Sequence, residues 1–127
     1  MTYTTLQQAK ELIKLGLPES TADMYYEQDT DSPVDSWKVG IGKPDQSQNP
    51  CWSAESLLEM LPTILYGDDG YPSHSLIFQR YESNSYLVEY ALNYGDNVTS
   101  INDFSEEGEL LNTLVKAILW LLKNKYL

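Results

Sequence analysis

A helical period of apolar residues begins at the sixth position of the chain. Its members, which share one face at 3.6 residues per turn, are Leu6, Ala9, Leu12 and Ile13. Thr5 and Gln8 have the spacing of a capping box, in which each side chain accepts from the other's backbone N–H. Gly16 followed by Pro18 is typical of a helix end. The pattern predicts a helix from Thr5 to Leu15.

Polar and proline-marked segments follow, with two short apolar runs between them. Met24 to Gln28 fits either a brief strand or a helical turn, whereas Trp37 to Ile41 indicates a short strand. A second helix is predicted over residues 53–61, because Leu57, Leu58 and Leu61 point to one side and Pro62 stops the helix.

The stretch "PCWSAESLLEML" (residues 50–61) has the features of a structural corner at the start of this second helix. Pro50 ends the preceding loop, and Ser53 is expected to cap the helix. Trp52 and Leu57 have the spacing of a hydrophobic staple. Cys51, the one cysteine of the chain, is expected to be a small buried residue.

Two β-rich runs, "SLIFQRY" and "SYLVEYALNY", are separated by "ESN". Their alternation predicts a hairpin over about residues 75–93, with Tyr86, Val88, Tyr90 and Leu92 on one face. The run from Val98 to Ile101 is compatible with a third strand. An isolated hairpin is marginal in water, so a helix should cover its apolar face.

The closing helix is expected from about Glu106 to Lys125. Its wide apolar face consists of Leu111, Leu114, Val115, Ile118, Leu119 and Leu122. Trp120 points away from that face, so either another element covers the indole or it is exposed. The predicted fold is a single α+β domain over residues 1–127, with a small antiparallel sheet packed by helices at 5–15, 53–61 and 106–125.

The chain is acidic, with a formal net charge of −11 over 127 residues. Residues 19–109 hold 18 acidic groups against three basic ones, a net of −15. Such a chain repels phosphate backbones and anionic membranes, which excludes nucleic acid as an expected partner. We find no signal-peptide pattern and no apolar run long enough for a membrane span, so a cytoplasmic protein is expected.

Residues with catalytic or metal-binding chemistry are few. Cys51 and His74 cannot form a tetrahedral zinc site alone, and His74 is expected to be a solvated turn residue. The acids at positions 29, 31 and 35 lack the glycine and glutamate of an EF-hand, which leaves only weak calcium binding open. A small hydrolase that uses the loop "DDGYPSHS" (68–75) is an alternative, but the loop has no nucleophile elbow, which argues against it. We predict no enzyme activity and no cofactor.

Three segments, "LIKLGLPESTADMYY", "NPCWSAESLLEMLP" and "AILWLLKNKYL", carry a resemblance across nearly the whole chain. The sequence resembles a family of small uncharacterised bacterial proteins that are often found in prophage or mobile-element neighbourhoods. The resemblance implies a phage-type protein with an α+β fold. Because the family has no assigned activity, it implies no catalytic residue.

These patterns together favour a non-catalytic role in which the protein binds an unidentified protein partner. The candidate interaction surface consists of Trp120, Tyr86, Tyr90, Asp29, Asp31 and Asp35, and the candidate structural corner of Pro50, Trp52, Ser53 and Leu57. An alternative is an immunity or inhibitor protein that presents an acidic face to a basic enzyme. The sequence leaves the oligomeric state open.

Overall fold

The structure, a computed structural model, describes residues 2–29, 36–68, 70–81, 84–92 and 104–127. Their elements in chain order are α1 (Leu6–Lys14), a 3₁₀ turn (Glu19–Thr21), β1 (Met24–Gln28), β2 (Trp37–Ile41), β3 (Asn49–Cys51), α2 (Ala54–Met60), β4 (Ile64–Tyr66), β5 (Pro72–Arg80), β6 (Tyr86–Leu92), β7 (Phe104–Gly108) and α3 (Leu110–Lys123). The α+β class is confirmed. The described strands form two antiparallel sheets rather than the one expected.

The chain divides into two compact units, Met1–Glu59 and Met60–Leu127. Each unit contains one of the sheets, with three strands in the first and four in the second. The prediction of a single domain over residues 1–127 stays a prediction. Across the described ranges, no helix has the length and hydrophobicity needed to cross a bilayer.

Helix α1 of the first unit has the ends that its sequence predicts. The Thr5 hydroxyl accepts from the Gln8 N–H (3.1 Å), and the Gln8 side chain accepts from the Thr5 N–H (3.0 Å). At the other end Gly16 has φ +105° and the Leu17 N–H donates to the Leu12 carbonyl (3.0 Å). This is a Schellman motif, for which glycine suits the positive φ.

The sheet of the first unit has the order β2-β1-β3. The segment Met24–Gln28, for which the sequence allowed a strand or a helical turn, is strand β1, and the predicted strand Trp37–Ile41 is confirmed. Directly paired residues of antiparallel strands share a face. Tyr26 therefore shares its face with Val39, and its hydroxyl donates to the Thr4 carbonyl (2.8 Å).

The sheet of the second unit has the order β4-β5-β6-β7. The predicted hairpin is confirmed by the pairing of β5 with β6, which runs from His74 opposite Leu92 to Arg80 opposite Tyr86. However, β5 begins at Pro72, inside the segment expected to be a loop. The proline is compatible with this position because it is the first residue of the strand.

The boundary of the closing helix differs from the prediction. Glu106 and Glu107 lie on strand β7, which pairs with β6, and α3 begins only at Leu110. Gly108, with φ +151°, ends the strand, and Glu109 is the N-cap residue. The cluster of acids suggested a helix start, but pairing with β6 determines the strand. The predicted strand at 98–101 lies outside the described residues.

The apolar face of α3 also differs in part from the prediction. The buried residues of α3 are Leu111, Thr113, Leu114, Val115, Ala117, Ile118 and Leu121. Leu119 and Leu122, which were expected on this face, are half-buried. Leu121 lies two helical turns after Leu114 and so returns to the same side. The helix packs over β6 and β7 of its own unit.

One prediction for the residues that follow Ser53 is wrong, and one strand was not predicted. Leu58 of α2 was expected to point inward, but it is exposed on the helix surface, whereas Leu57 and Leu61 are buried. Strand β4 was not predicted, because three residues are too few to show an alternating pattern. Within it Leu65 is buried while Ile64 and Tyr66 are exposed, as alternation along an edge strand requires.

Candidate functional site

The predicted structural corner is built around the first turn of α2. Ser53 Oγ accepts from the Ser56 N–H (3.1 Å), which confirms the predicted cap. Trp52 and Leu57, the expected staple pair, are both fully buried. Pro50 was expected to end a loop, but it lies in strand β3. In the described residues β3 is at the edge of its sheet, where a proline is tolerated because its missing N–H is not needed for pairing with another strand.

Asp23, which the sequence did not single out, holds this corner. Its two carboxylate oxygens accept from the Ser53 N–H (2.9 Å) and the Ser53 hydroxyl (2.5 Å). Burial alone would raise the pKa of Asp23, but the hydrogen bonds from Ser53 outweigh it and lower the pKa below 3.8. The carboxylate is therefore charged at neutral pH and satisfies the backbone at the helix start.

Cys51 lies beside this corner with no exposed surface. The Thr4 hydroxyl is 3.6 Å from its sulfur, and burial raises the pKa of the thiol. Burial also raises the pKa of the neighbouring Tyr26 to about 12. The thiolate, which is the nucleophilic form, is disfavoured in such a place, and the expectation of a buried thiol is confirmed.

Ser73 and His74 are neighbours whose side chains are in contact, as those of a catalytic serine and histidine would be. His74 Nδ1 lies 3.1 Å from Ser73 Oγ, and the Ser73 hydroxyl donates to the Leu65 carbonyl (3.1 Å). His74 was expected to be solvated, but it is fully buried on β5, and Ser73 is 3% exposed. His74 is paired directly with Leu65 of β4, and because the side chains of Ser73 and His74 are both buried, the two are closed to a substrate in this structure.

Trp120 stacks within an aromatic cluster of the second unit. Its ring centroid lies 5.2 Å from that of Phe104, 5.6 Å from that of Tyr126 and 6.1 Å from that of Tyr90. These distances are within the range of favourable ring pairs. The indole is half-buried rather than exposed, and these rings supply part of its cover.

Of the two tyrosines expected on an interaction surface, Tyr90 lies in the core and Tyr86 is half-buried. Tyr90 has no exposed surface, its hydroxyl donates to the Pro62 carbonyl (2.8 Å), and burial raises its pKa. It is not available to a partner, which corrects the prediction at that position. Tyr86 is half-buried, with its ring 5.9 Å from that of Phe78.

Of the three acidic residues expected on the interaction surface, the structure describes one, Asp29. Asp29 is half-buried after β1, and its N–H donates to the Ser36 carbonyl (2.8 Å). Asp31 and Asp35 lie outside the described residues.

A different group of exposed residues lies at the edge of the four-stranded sheet. We define the β4 surface as Ile64, Tyr66, Asp68 and Tyr71; the exposed fractions of its three apolar side chains are 38%, 55% and 72% in that order. Tyr66 and Tyr71 flank a tight turn in which the Gly67 N–H donates to the Tyr71 carbonyl (2.9 Å). Aromatic residues such as these tyrosines are enriched at protein contact surfaces.

The backbone of β4 is also accessible at this edge. The Leu76 N–H donates to the Thr63 carbonyl (2.9 Å), so Thr63 and Leu65 direct their backbone groups toward β5. Alternation then directs those of Ile64 outward, away from β5. In the part of the chain that the structure describes, β4 has a strand partner on one side alone.

A hollow of about 700 Å³, lined mainly by polar and charged residues, lies in the first unit. Its lining includes Lys43, whose ammonium donates to the Ser20 carbonyl, and Asp45, whose carboxylate accepts from the Ser47 hydroxyl and N–H. The bonds from Ser47 lower the pKa of Asp45. The Lys43 and Asp45 side chains are therefore both engaged with other groups of the chain.

Within the described ranges, no three His, Cys, Asp or Glu side chains are grouped as a metal ion would require. Comparison of the chain with models of protein families, with curated proteins and with solved structures finds no significant match. The resemblance to mobile-element proteins therefore stays a prediction. The β4 surface has one signal in the sequence, since two tyrosines flank the turn residues of "YGDDGY".

Proposed function

We propose that this protein acts without catalysis, by binding a basic protein through the β4 surface. The setting that we propose is the phage or mobile-element one that the sequence resemblance implies. The observation that carries the proposal is the exposure of Ile64, Tyr66 and Tyr71 together at one sheet edge. Tyrosines supply large contact areas at low entropic cost, so they are favoured at protein interfaces.

The chemistry of the partner is argued from charge. The formal net charge is −11, and Asp68 lies within the β4 surface. An acidic surface attracts basic proteins during diffusional encounter and disfavours acidic ones. The outward backbone groups of Ile64 add hydrogen-bonding capacity to the same edge. The partner therefore presents basic and apolar groups together.

The proposal is tested by affinity capture followed by reconstitution. The chain is immobilised, captured proteins from a bacterial extract are identified by mass spectrometry, and each candidate is purified for titration calorimetry. Tyr66→Ser should raise the Kd at least about tenfold, because it removes a central aromatic contact. Tyr81→Ser is the matched control, since Tyr81 is 53% exposed but lies after the far end of β5.

Two results would overturn the proposal. One is the failure of every captured protein to bind in purified form with a Kd below ~100 µM. The other is equal binding by the wild type and Tyr66→Ser, which would show that the contact lies elsewhere.

The charge also favours a narrower version of this function, in which the basic partner is an enzyme that the protein inhibits. This version predicts that the purified partner has an activity that falls as the chain is added at one-to-one stoichiometry. A partner that keeps full activity in the saturated complex would limit the role to an accessory one.

A further inference from the structure

We propose that two copies of this chain associate by antiparallel pairing of their β2 strands, so that two three-stranded sheets become one sheet of six strands. This inference concerns the first unit and is independent of the β4 surface. In the described residues β2 is the edge of its sheet, with β1 on its inner side. Trp37 is 48% exposed and Ile41 88% exposed along that edge.

The hydrogen bonds that flank β2 determine which backbone groups face outward. The Gly42 N–H donates to the Asp23 carbonyl (2.9 Å), and the Asp29 N–H donates to the Ser36 carbonyl (2.8 Å). Because antiparallel strands direct alternate residues toward each neighbour, positions 36, 38, 40 and 42 face β1. The N–H and C=O groups of positions 37, 39 and 41 therefore point away from the sheet.

The three outward positions of one copy are complementary to the same three positions of a second, antiparallel copy. When Val39 pairs with Val39 of the second copy, Trp37 lies opposite Ile41 and Ile41 lies opposite Trp37. Each of the three is then a hydrogen-bonded pair that exchanges two bonds, which gives about six bonds across the interface. At each end of the contact the aromatic Trp37 lies beside the β-branched Ile41, and such cross-strand pairs are favourable.

The opposite face of β2 is complementary in the same register. Lys38 lies opposite Gly40 of the second copy, which has no side chain to oppose it. Within each copy the Tyr25 ring covers Gly40 so closely that a Cβ there would overlap the ring. The Lys38 ammonium, which is 3.5 Å from Glu27 in its own chain, is thereby brought toward a tyrosine face. A cation over an aromatic ring is an attractive arrangement.

The contact has the symmetry of a closed dimer. Both copies contribute the same five residues, so the interface is isologous and does not propagate into a filament. The β4 edge is less suited to such self-pairing, because it has three residues and its register shifts between Leu65 and Tyr66. Since each copy has a net charge of −11, the two repel at low salt. Association should therefore strengthen as salt screens that repulsion.

The first test is sedimentation equilibrium on the full chain at ~0.05 M and ~0.5 M NaCl. The expected mass approaches twice 14.5 kDa at the higher salt. Ile41→Asp should raise the dimer Kd at least about tenfold without unfolding the chain, because that side chain is almost fully exposed. Tyr81→Asp, which adds the same charge on another exposed residue, should leave the Kd within about twofold of the wild type.

The second test determines the register by oxidation. In Val39→Cys the two cysteines face each other with Cα atoms about 5.5 Å apart, which is within disulfide range. In Ile41→Cys the equivalent atoms are separated by roughly 13 Å along the strands. Mild oxidation should link the first variant and not the second, and the buried Cys51 does not compete.

Three results would overturn the dimer: a single-chain mass at ~100 µM in high salt, an unchanged Kd in Ile41→Asp, or equal linking of both cysteine variants. The outcome is separable from that of the proposed function. Ile41→Asp should retain the basic partner, and Tyr66→Ser should retain the dimer. Loss of both activities in either variant would contradict the assignment of two distinct surfaces.

Discussion

At the residue scale, the Asp23 carboxylate supports the start of α2 from a distant part of the chain. Both of its oxygens accept from Ser53, whose hydroxyl in turn caps the helix. We expect Asp23→Ala to lower the free energy of unfolding by about 1–2 kcal/mol at pH 7, because it leaves these donors without their charged acceptor. Urea denaturation measures the change. Asp68→Ala, on an exposed turn, should stay within about 0.5 kcal/mol.

The contribution of Asp23 should depend on pH in one direction. The pKa of the folded state is lowered from 3.8, so the unfolded state binds the proton more readily. The stabilisation is complete well above pH 3.8 and is lost as the pH falls through the lower folded-state value. Urea denaturation from pH 7 to pH 3 should show the wild type and Asp23→Ala converging below 3.8. A constant difference would contradict the assignment.

Lys125 lies in a conformation that favours glycine. Its φ is +62°, and the Tyr126 N–H donates to the Leu121 carbonyl (2.8 Å), as in the Schellman end of α1. Lys125→Gly should therefore raise the free energy of unfolding by about 0.5–1 kcal/mol. Lys123→Gly, inside the last turn of α3, should lower it by a similar amount. Thermal denaturation compares both, and destabilisation by Lys125→Gly would contradict the argument.

Local residue patterns were enough to predict some of these features but not others. The capping box of Thr5 and Gln8 and the cap at Ser53 involve residues three positions apart, so their spacing is visible in the sequence. Asp23 contacts Ser53 across 30 positions, and nothing in the local pattern around either residue indicates that contact. Tyr90 was misassigned for a related reason, since an aromatic residue on a strand is equally suited to a core and to a contact surface.

At the scale of elements, Trp120 links α3 to the sheet of its own unit. It stacks on Tyr90 of β6 and Phe104 of β7, and Tyr126 covers a further side. Trp120→Ala should lower the free energy of unfolding by about 2–3 kcal/mol, less than for a fully buried tryptophan. Guanidinium denaturation measures this loss. Tyr81→Ala should change stability by less than about 0.5 kcal/mol, and equal losses would contradict the role of the cluster.

Elements with several repeats of their apolar pattern were predicted, as was the five-residue strand β2, whereas the three-residue strands β3 and β4 were not. Helix α1 and the β5-β6 hairpin have enough residues to define their periods. Strand β4 and the start of β5 depend on pairing between segments, as does the assignment of Glu106 to β7 rather than to α3. Of the candidate site, the sequence predicted the α2 corner, whereas the β4 surface emerged only from the exposure of side chains at a sheet edge.

At the scale of the whole molecule, the net charge of −11 should strengthen binding of a basic partner and weaken self-association. Raising NaCl from ~0.05 M to ~0.5 M shortens the Debye length from about 14 Å to about 4 Å. Binding of a basic partner should weaken over that range, while self-association through β2 should strengthen. Titration calorimetry and sedimentation on one preparation measure both. The same sign of salt dependence for both contacts would contradict one of them.

The positions of the three tryptophans allow the unfolding of each unit to be followed by intrinsic fluorescence. Trp52 is fully buried in the first unit, and its indole N–H donates to the Thr21 hydroxyl (3.0 Å). Trp120 belongs to the ring cluster of the second unit. Variants that keep one of these two and carry phenylalanine at the other sites would emit from a single unit. If the chain unfolds as one domain, both emission curves should share a midpoint. Separate midpoints would show that the two units melt independently.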